Sequence, residues 1–130
     1  MKNKKQIIII TLFVVIFCIS VGLRIWKIDQ PIADWHSFRQ VDTASVARIF
    51  TTRGIDLLHP RYHDLSNIQS GKDNPEGWRM VEFPLYQGIA AFSYNVFPQL
   101  PIEIYLRLIT ILSSTLTGLF LGIMVTKRTT

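Results

Sequence analysis

The stretch QIIIITLFVVIFCISVGL, residues 6–23, runs for 18 residues without a charged side chain, and its reading decides the fold. At about 1.5 Å per helical residue it covers roughly 27 Å, close to the roughly 30 Å hydrocarbon core of a bilayer. A second uncharged run extends from Leu108 to Val125, with Lys127 and Arg128 close behind it. Two such runs predict an all-α membrane protein, with one transmembrane helix over 6–26 and another over 102–126. Residues 27–101 then form a long loop between them.

Charge orients this arrangement. The formal balance is +5, yet all nine acids lie between Asp29 and Glu103. Lys2, Lys4 and Lys5 precede the first run, Lys127 and Arg128 follow the second, and neither tail (1–5 or 127–130) carries an acid. Short basic tails mark the cytoplasmic side. The chain is therefore expected in the plasma (inner) membrane, with its loop facing periplasm or exterior. Arg24 and Lys27 fall on the wrong side for this rule, but long basic side chains at a helix end can snorkel to the headgroups. No basic groove suited to DNA or RNA is present; the bilayer is the partner implied.

A cleaved signal peptide competes for the first run. That run is longer than the usual 7–15-residue apolar region, and no clean small-x-small cleavage site follows it, so an uncleaved helix is expected. Cys18, the only cysteine, lies inside the run and reads as a small apolar filler; no disulfide framework exists.

The loop carries helical signals of its own. Ser37-x-x-Gln40 has the form of a capping box. Val46, Ile49 and Phe50 follow at i, i+3, i+4, with Ser45, Arg48 and Thr52 on the opposite face, and Gly54 offers a stop. The spacing predicts a helix near 38–53, lying along the membrane surface with Ile49 and Phe50 inward. Residues 55–80 are rich in turn formers and lack periodicity. Pro84 can open a second short helix near 84–97, whose Leu85, Ile89, Phe92 and Val96 share one side. The architecture expected is two transmembrane helices joined by a long outer loop with two juxtamembrane surface helices. Such a chain offers little interior for a substrate. Either it oligomerises or, as expected here, it is the front part of a longer protein.

The chemistry concentrates at the start of the loop, in Asp34-Trp35-His36-Ser37-Phe38-Arg39-Gln40. Charged groups avoid a membrane boundary unless a task holds them there. Asp34 stands just before a helix N-terminus, and Arg39 lies in that helix's first turn. Free N–H groups and a guanidinium together make an anion site suited to a phosphate. A carboxylate beside it could take the proton from an acceptor hydroxyl. The plainer reading is that Asp34 and Arg39 pair and cap the helix.

These residues resemble the first outer-loop motif of GT-C-class membrane glycosyltransferases, particularly the bacterial family 39 enzymes akin to protein O-mannosyltransferases and the lipid A aminoarabinose transferase. The resemblance extends to His59-Pro60-Arg61-Tyr62-His63-Asp64, Gly71-Lys72-Asp73-Asn74-Pro75-Glu76-Gly77 and Glu82-Phe83-Pro84-Leu85-Tyr86, in that order. It covers nearly the whole chain, but only the front portion of such an enzyme. It implies transfer of a sugar from a polyprenyl-phosphate donor to an acceptor on the outer face, with inversion at the anomeric carbon. Asp34 would be the base or acceptor-positioning carboxylate, and Arg39 the basic residue near the donor phosphate. Several relatives carry a lysine where this chain has Glu82, which would then bind acceptor hydroxyls instead. No cofactor is fixed by the resemblance, although some relatives use a divalent metal ion.

Further candidates are weaker in sequence. His36 could contact acceptor or phosphate, or make a structural hydrogen bond. His59 and His63 have i, i+4 spacing, but Pro60 between them argues against a helical metal site. Arg107, at the start of the second span, is a substrate-binding candidate that could equally snorkel or pair with Glu103. Trp26, Trp35 and Trp78 read as interfacial anchors. The alternative to an enzyme is a small two-span membrane protein whose outer loop binds a partner or a saccharide without catalysis.

Overall fold

The computed structural model describes residues 2–32, 37–67 and 71–129. It contains helices α1 (Lys2–Ile25), α2 (Ser37–Arg53), α3 (Leu85–Val96) and α4 (Ile102–Thr129). Among the described residues there is no β-strand, only an isolated antiparallel bridge between Arg61 and Trp78. The four expected helices are present. The two outer ones run further than the apolar stretches that announced them, over Lys2–Lys5 at one end and through Lys127 at the other.

The chain divides into two compact units, residues 1–29 with 110–130, and residues 30–109. Gln6–Ile25 in α1 and Ile102–Val125 in α4, which begins in the second unit and continues into the first, are long and apolar enough to cross a membrane. Gly118-Leu119-Phe120-Leu121-Gly122 leaves a notch in α4, small residues one turn apart that let a neighbour approach closely. Phe17 packs against Gly118, and a Cβ at Gly122 would collide with the Phe13 ring. Arg24 folds back to donate to the Ser20 carbonyl and hydroxyl, one turn earlier. The chain then leaves α1 through Lys27, in the left-handed region at φ 60°.

The second unit holds the protein's core, which is built on small side chains. Ala44 and Ala47 of α2, Ala90 of α3, and Ile102 and Leu106 of α4 form one buried cluster, flanked by Tyr86, Tyr94 and Tyr105. Val46, Phe50 and Ala91 form a second, against Leu57 and Tyr62. Alanine at the contact positions lets α2 and α3 come close, and Phe50 fills the remaining space as the one large side chain fully buried there. The Tyr86 hydroxyl donates to the Leu106 carbonyl at 2.5 Å, tying α3 to the first turns of α4.

Helix α3 reverses the usual polarity. Its buried residues are Gln87, Gly88, Ala90 and Ala91, whereas Leu85, Ile89, Phe92 and Val96 are 45–64% exposed. The shared apolar side read in the sequence exists, but it faces away from the core. In α2 the expectation for Ile49 and Phe50 holds, since both are buried, and Phe50 packs within the protein against Ala91 of α3 and Leu57 and Tyr62 of the loop. Ser45, expected on the outer face, is also buried. Its hydroxyl accepts the His63 amide at 2.8 Å and shares a hydrogen bond with the His63 Nδ1 at 2.6 Å.

The turn-rich segment between α2 and α3 is ordered by local hydrogen bonds. Gly54, at φ 93°, follows the end of α2. The Tyr62 amide donates to Gly77 and the Arg79 amide to Pro60 at 2.8 and 2.9 Å. Asn74, 4% exposed, receives the Trp78 amide at 2.8 Å and donates to its carbonyl at 3.1 Å. Gly77 sits at φ 66°, where a Cβ would stand 2.6 Å from the Tyr62 carbonyl oxygen. Trp78 is therefore held in the loop by its backbone and its ring neighbours. The Arg61 guanidinium lies 4.3 Å from its ring centre and the His59 ring 5.6 Å away.

The two phenylalanine environments make a sharp contrast. Phe50→Ala is expected to lower unfolding stability in detergent by about 3–5 kcal/mol, as for other buried aromatic truncations. Phe92→Ala, at an exposed position, should stay within about 0.5 kcal/mol. Denaturant titration of both variants measures the difference, and equal losses would contradict the assigned core.

Candidate functional site

A cleft of about 190 Å³ opens between α2 and the segment leading into α3. It is built from two sequence regions that the alanine contact brings together. From α2 come Phe38, Arg39, Asp42, Thr43 and Val46; from the second segment come Arg79, Val81, Glu82, Pro84 and Gln87, with Pro60 between them. Residues 39, 42, 43 and 46 fall on one side of α2 because they follow the i, i+3, i+4, i+7 spacing of a helix. Pro84 accepts the Gly88 amide at 2.9 Å as α3 begins, which puts Gln87 on the first turn, facing inward.

Two ion pairs cross the cleft. Arg39 donates through Nη2 to Glu82 Oε2 at 3.2 Å, across 43 positions of sequence. Both side chains are substantially exposed, at 74% and 48%, so the pair contributes at most about 1 kcal/mol and can be opened readily. Arg79 donates to Asp42 Oδ2 at 2.7 Å, both being about two-thirds buried, and its guanidinium lies 5.2 Å from the Tyr62 ring centre. Gln87, 4% exposed, directs its amide nitrogen to Glu82 Oε1 at 3.4 Å. At the lips, Phe38 and Val81 are 68% and 65% exposed.

Of the residues singled out in sequence, Arg39 and Glu82 meet here. Asp34 and His36 lie outside the described residues, and so does Trp35. Arg39 pairs with Glu82, while the pairing with Asp34 read in the sequence lies outside the described residues. Gln40, on the first turns of α2, is exposed and is not part of the cleft lining. Arg107 is half-buried on α4, also away from the lining, while Glu103 nearby accepts from Arg48. Asp42, Arg79 and Gln87 were missed. Asp42 could have been found, three residues after Arg39 on the same helical side. The approach of Arg79, 37 positions further on, has no signal in spacing.

The loop histidines are directed to separate partners. His59 Nδ1 meets Asp56 Oδ2 at 3.0 Å, and His63 is held by Ser45. Among the described residues, no group of three or more His, Cys, Asp or Glu side chains could hold a metal ion. Partial desolvation pushes the Asp56 carboxyl up, but hydrogen bonds from His59 and from the Leu58 and His59 amides outweigh this and hold it below its ordinary value. Hydrogen bonds from Ser66 likewise lower Asp64. A carboxyl depressed in the folded state contributes stability above its unfolded pKa and loses it as pH falls through the folded one.

In comparison with known proteins, no family model matches the chain, and no curated protein or solved structure matches it either. The functional reading consequently rests on the residues and on the geometry of the cleft.

The carboxylates give a direct check on the loop. Carbon-shift titration of Asp56 and Asp64 is expected to give midpoints below about 3.9, with Ser66→Ala moving Asp64 upward and leaving Asp56 in place. Midpoints at or above the ordinary value would contradict the hydrogen-bonded loop.

Proposed function

We propose that the chain is the N-terminal portion of an integral membrane glycosyltransferase, moving a sugar from a polyprenyl-phosphate donor to an acceptor on the outer face, with inversion. The observation that carries this reading is the meeting of Arg39 and Glu82 at the mouth of a cleft with exposed apolar lips. The two residues belong to separate motifs of the family resemblance, yet they lie 3.2 Å apart. A lipid-linked sugar suits that combination: a guanidinium for the phosphate, a carboxylate for a hydroxyl, and apolar surface for the first carbons of the tail.

Lipid contact also accounts for the polarity of α3. In water, outward Leu85, Ile89, Phe92 and Val96 above an inward Gln87 would be unfavourable. Against acyl chains the same arrangement is favourable, because the apolar stripe stays out of water. The helix contains no charged residue, and five residues separate its end from α4, which is long enough to cross a membrane. The bilayer is thus the proposed setting, with the basic tails inside and residues 27–101 in periplasm or exterior.

The chemistry follows from the residue types. The Asp34 carboxylate takes the proton from an acceptor hydroxyl as its oxygen attacks the anomeric carbon. The bond from that carbon to the phosphate oxygen breaks on the opposite face, which inverts the centre. The polyprenyl phosphate leaves with both electrons of that bond, and no general acid is needed because the leaving group is already stabilised as an anion. Arg39, released from its exposed pairing with Glu82, meets the phosphate. Glu82 is then free to accept from a sugar or acceptor hydroxyl.

Turnover of a polyprenyl-phosphate sugar by the full-length protein tests these roles. Asp34→Asn should lower the rate by about 10²–10⁴-fold with donor binding retained. Arg39→Ala should weaken donor binding by about 10–100-fold, the worth of a hydrogen bond to a charged group. Wild-type rates in both variants would refute the assignment.

The lipid contact is tested separately. In a Cys18→Ser background, a nitroxide at Phe92→Cys in bilayers should collide more with oxygen than with a water-soluble nickel chelate, and one at Arg53→Cys should do the reverse. Nickel-dominated relaxation at both positions would remove α3 from the membrane.

A further inference from the structure

We infer that the interior of the α2–α3 cleft is a subsite for one neutral sugar ring, held by Asp42, Arg79, Glu82 and Gln87. The inference rests on the proposed sugar transfer and assigns a part of the substrate to a place. Charge balance is the first reason. Among the described residues the lining holds two guanidiniums and two carboxylates, joined pairwise at 3.2 and 2.7 Å, so these four groups sum to zero. A phosphate buried among them would have to separate Arg79 from Asp42 and lie against a carboxylate left without its partner. Removing one member of a half-buried pair is the costly change.

A polyhydroxy ring makes no such demand. Each hydroxyl both donates and accepts, so it can donate to a carboxylate oxygen and accept from a guanidinium N–H while the pair stays intact. Gln87 adds a planar amide, nearly fully buried, with a 3.4 Å contact to Glu82 that a shorter bond to a hydroxyl could replace. Planar carboxylate, guanidinium and amide groups suit adjacent hydroxyls because each offers two hydrogen-bonding atoms side by side. The apolar side of the ring finds Val46, Pro60 and Pro84 in the same lining.

Size agrees with one ring. At about 190 Å³ the cleft exceeds the roughly 150 Å³ cavity that admits a benzene ring, so it has room for a single six-membered ring. The geometry therefore separates two tasks: the exposed Arg39 at the mouth serves the phosphate, and the interior, where Arg79 stays paired with Asp42, serves the sugar.

Saturation-transfer NMR on the full chain in nanodiscs, using a panel of methyl hexopyranosides with inorganic phosphate as competitor, tests the subsite. At least one glycoside is expected to bind and to resist displacement by phosphate. Asp42→Asn and Gln87→Leu should each weaken it by about tenfold or more, the worth of one lost buried hydrogen bond. Asp42→Asn preserves shape but breaks the pair with Arg79, so Glu82→Gln, at the more exposed pair, is read beside it and should weaken the glycoside by a similar factor. No glycoside binding, displacement by phosphate, or unchanged affinity in Asp42→Asn would each overturn the subsite. Donor turnover without glycoside binding would sink this inference alone. Glycoside binding without turnover would sink the transferase reading and leave a saccharide-binding loop.

Discussion

The close approach of α2 and α3 through alanine is the constraint on which the rest of the second unit depends. Ala44 and Ala47 on one helix and Ala90 and Ala91 on the other leave no room for larger side chains, since all four are at most 2% exposed. This contact sets Arg39 and Asp42 of α2 opposite Arg79, Glu82 and Gln87. A bulkier contact layer would push the helices apart and separate both ion pairs. The cleft is thus a product of packing, and its charges arrive there because small residues sit behind them.

Polarity gives a second constraint. In a water-soluble helix the large apolar residues turn inward, yet α3 turns a glutamine, a glycine and two alanines inward and its leucine, isoleucine, phenylalanine and valine outward. The inward glutamine is useful to the cleft, and the small residues are required by the helix contact. The large apolar residues then have only the outer side left. One short segment therefore meets three demands at once, and this explains why it carries no charge.

Much of the architecture was legible before any coordinates. The two uncharged runs announced α1 and α4, the i, i+3, i+4 pattern with Gly54 bounded α2, and Pro84 marked the start of α3. Periodicity shows that apolar residues share a side; it does not say whether that side meets protein or something else. Hence Leu85, Ile89, Phe92 and Val96 were grouped correctly in sequence without revealing that they turn from the core. The site was legible only in part. Arg39 and Glu82 stood out by type and context, but their pairing, like that of Asp42 with Arg79, depends on a chain reversal through a segment without periodicity. The stacking of Trp78 on Arg61 was hidden for the same reason, since it comes from the bridge and from Asn74. Ser45 was read as solvent-facing because hydroxyls usually are, whereas here a loop histidine satisfies it.

The central claim is that this cleft receives a lipid-linked sugar. It is tested most directly by photolabelling the full-length protein in bilayers with a polyprenyl-phosphate hexose that carries a diazirine near the phosphate. The account predicts labelling of the peptides containing Phe38 and Val81, suppressed by excess unlabelled donor. Labelling confined to α1 and to α4 beyond Thr110, or labelling that the donor does not suppress, would contradict it.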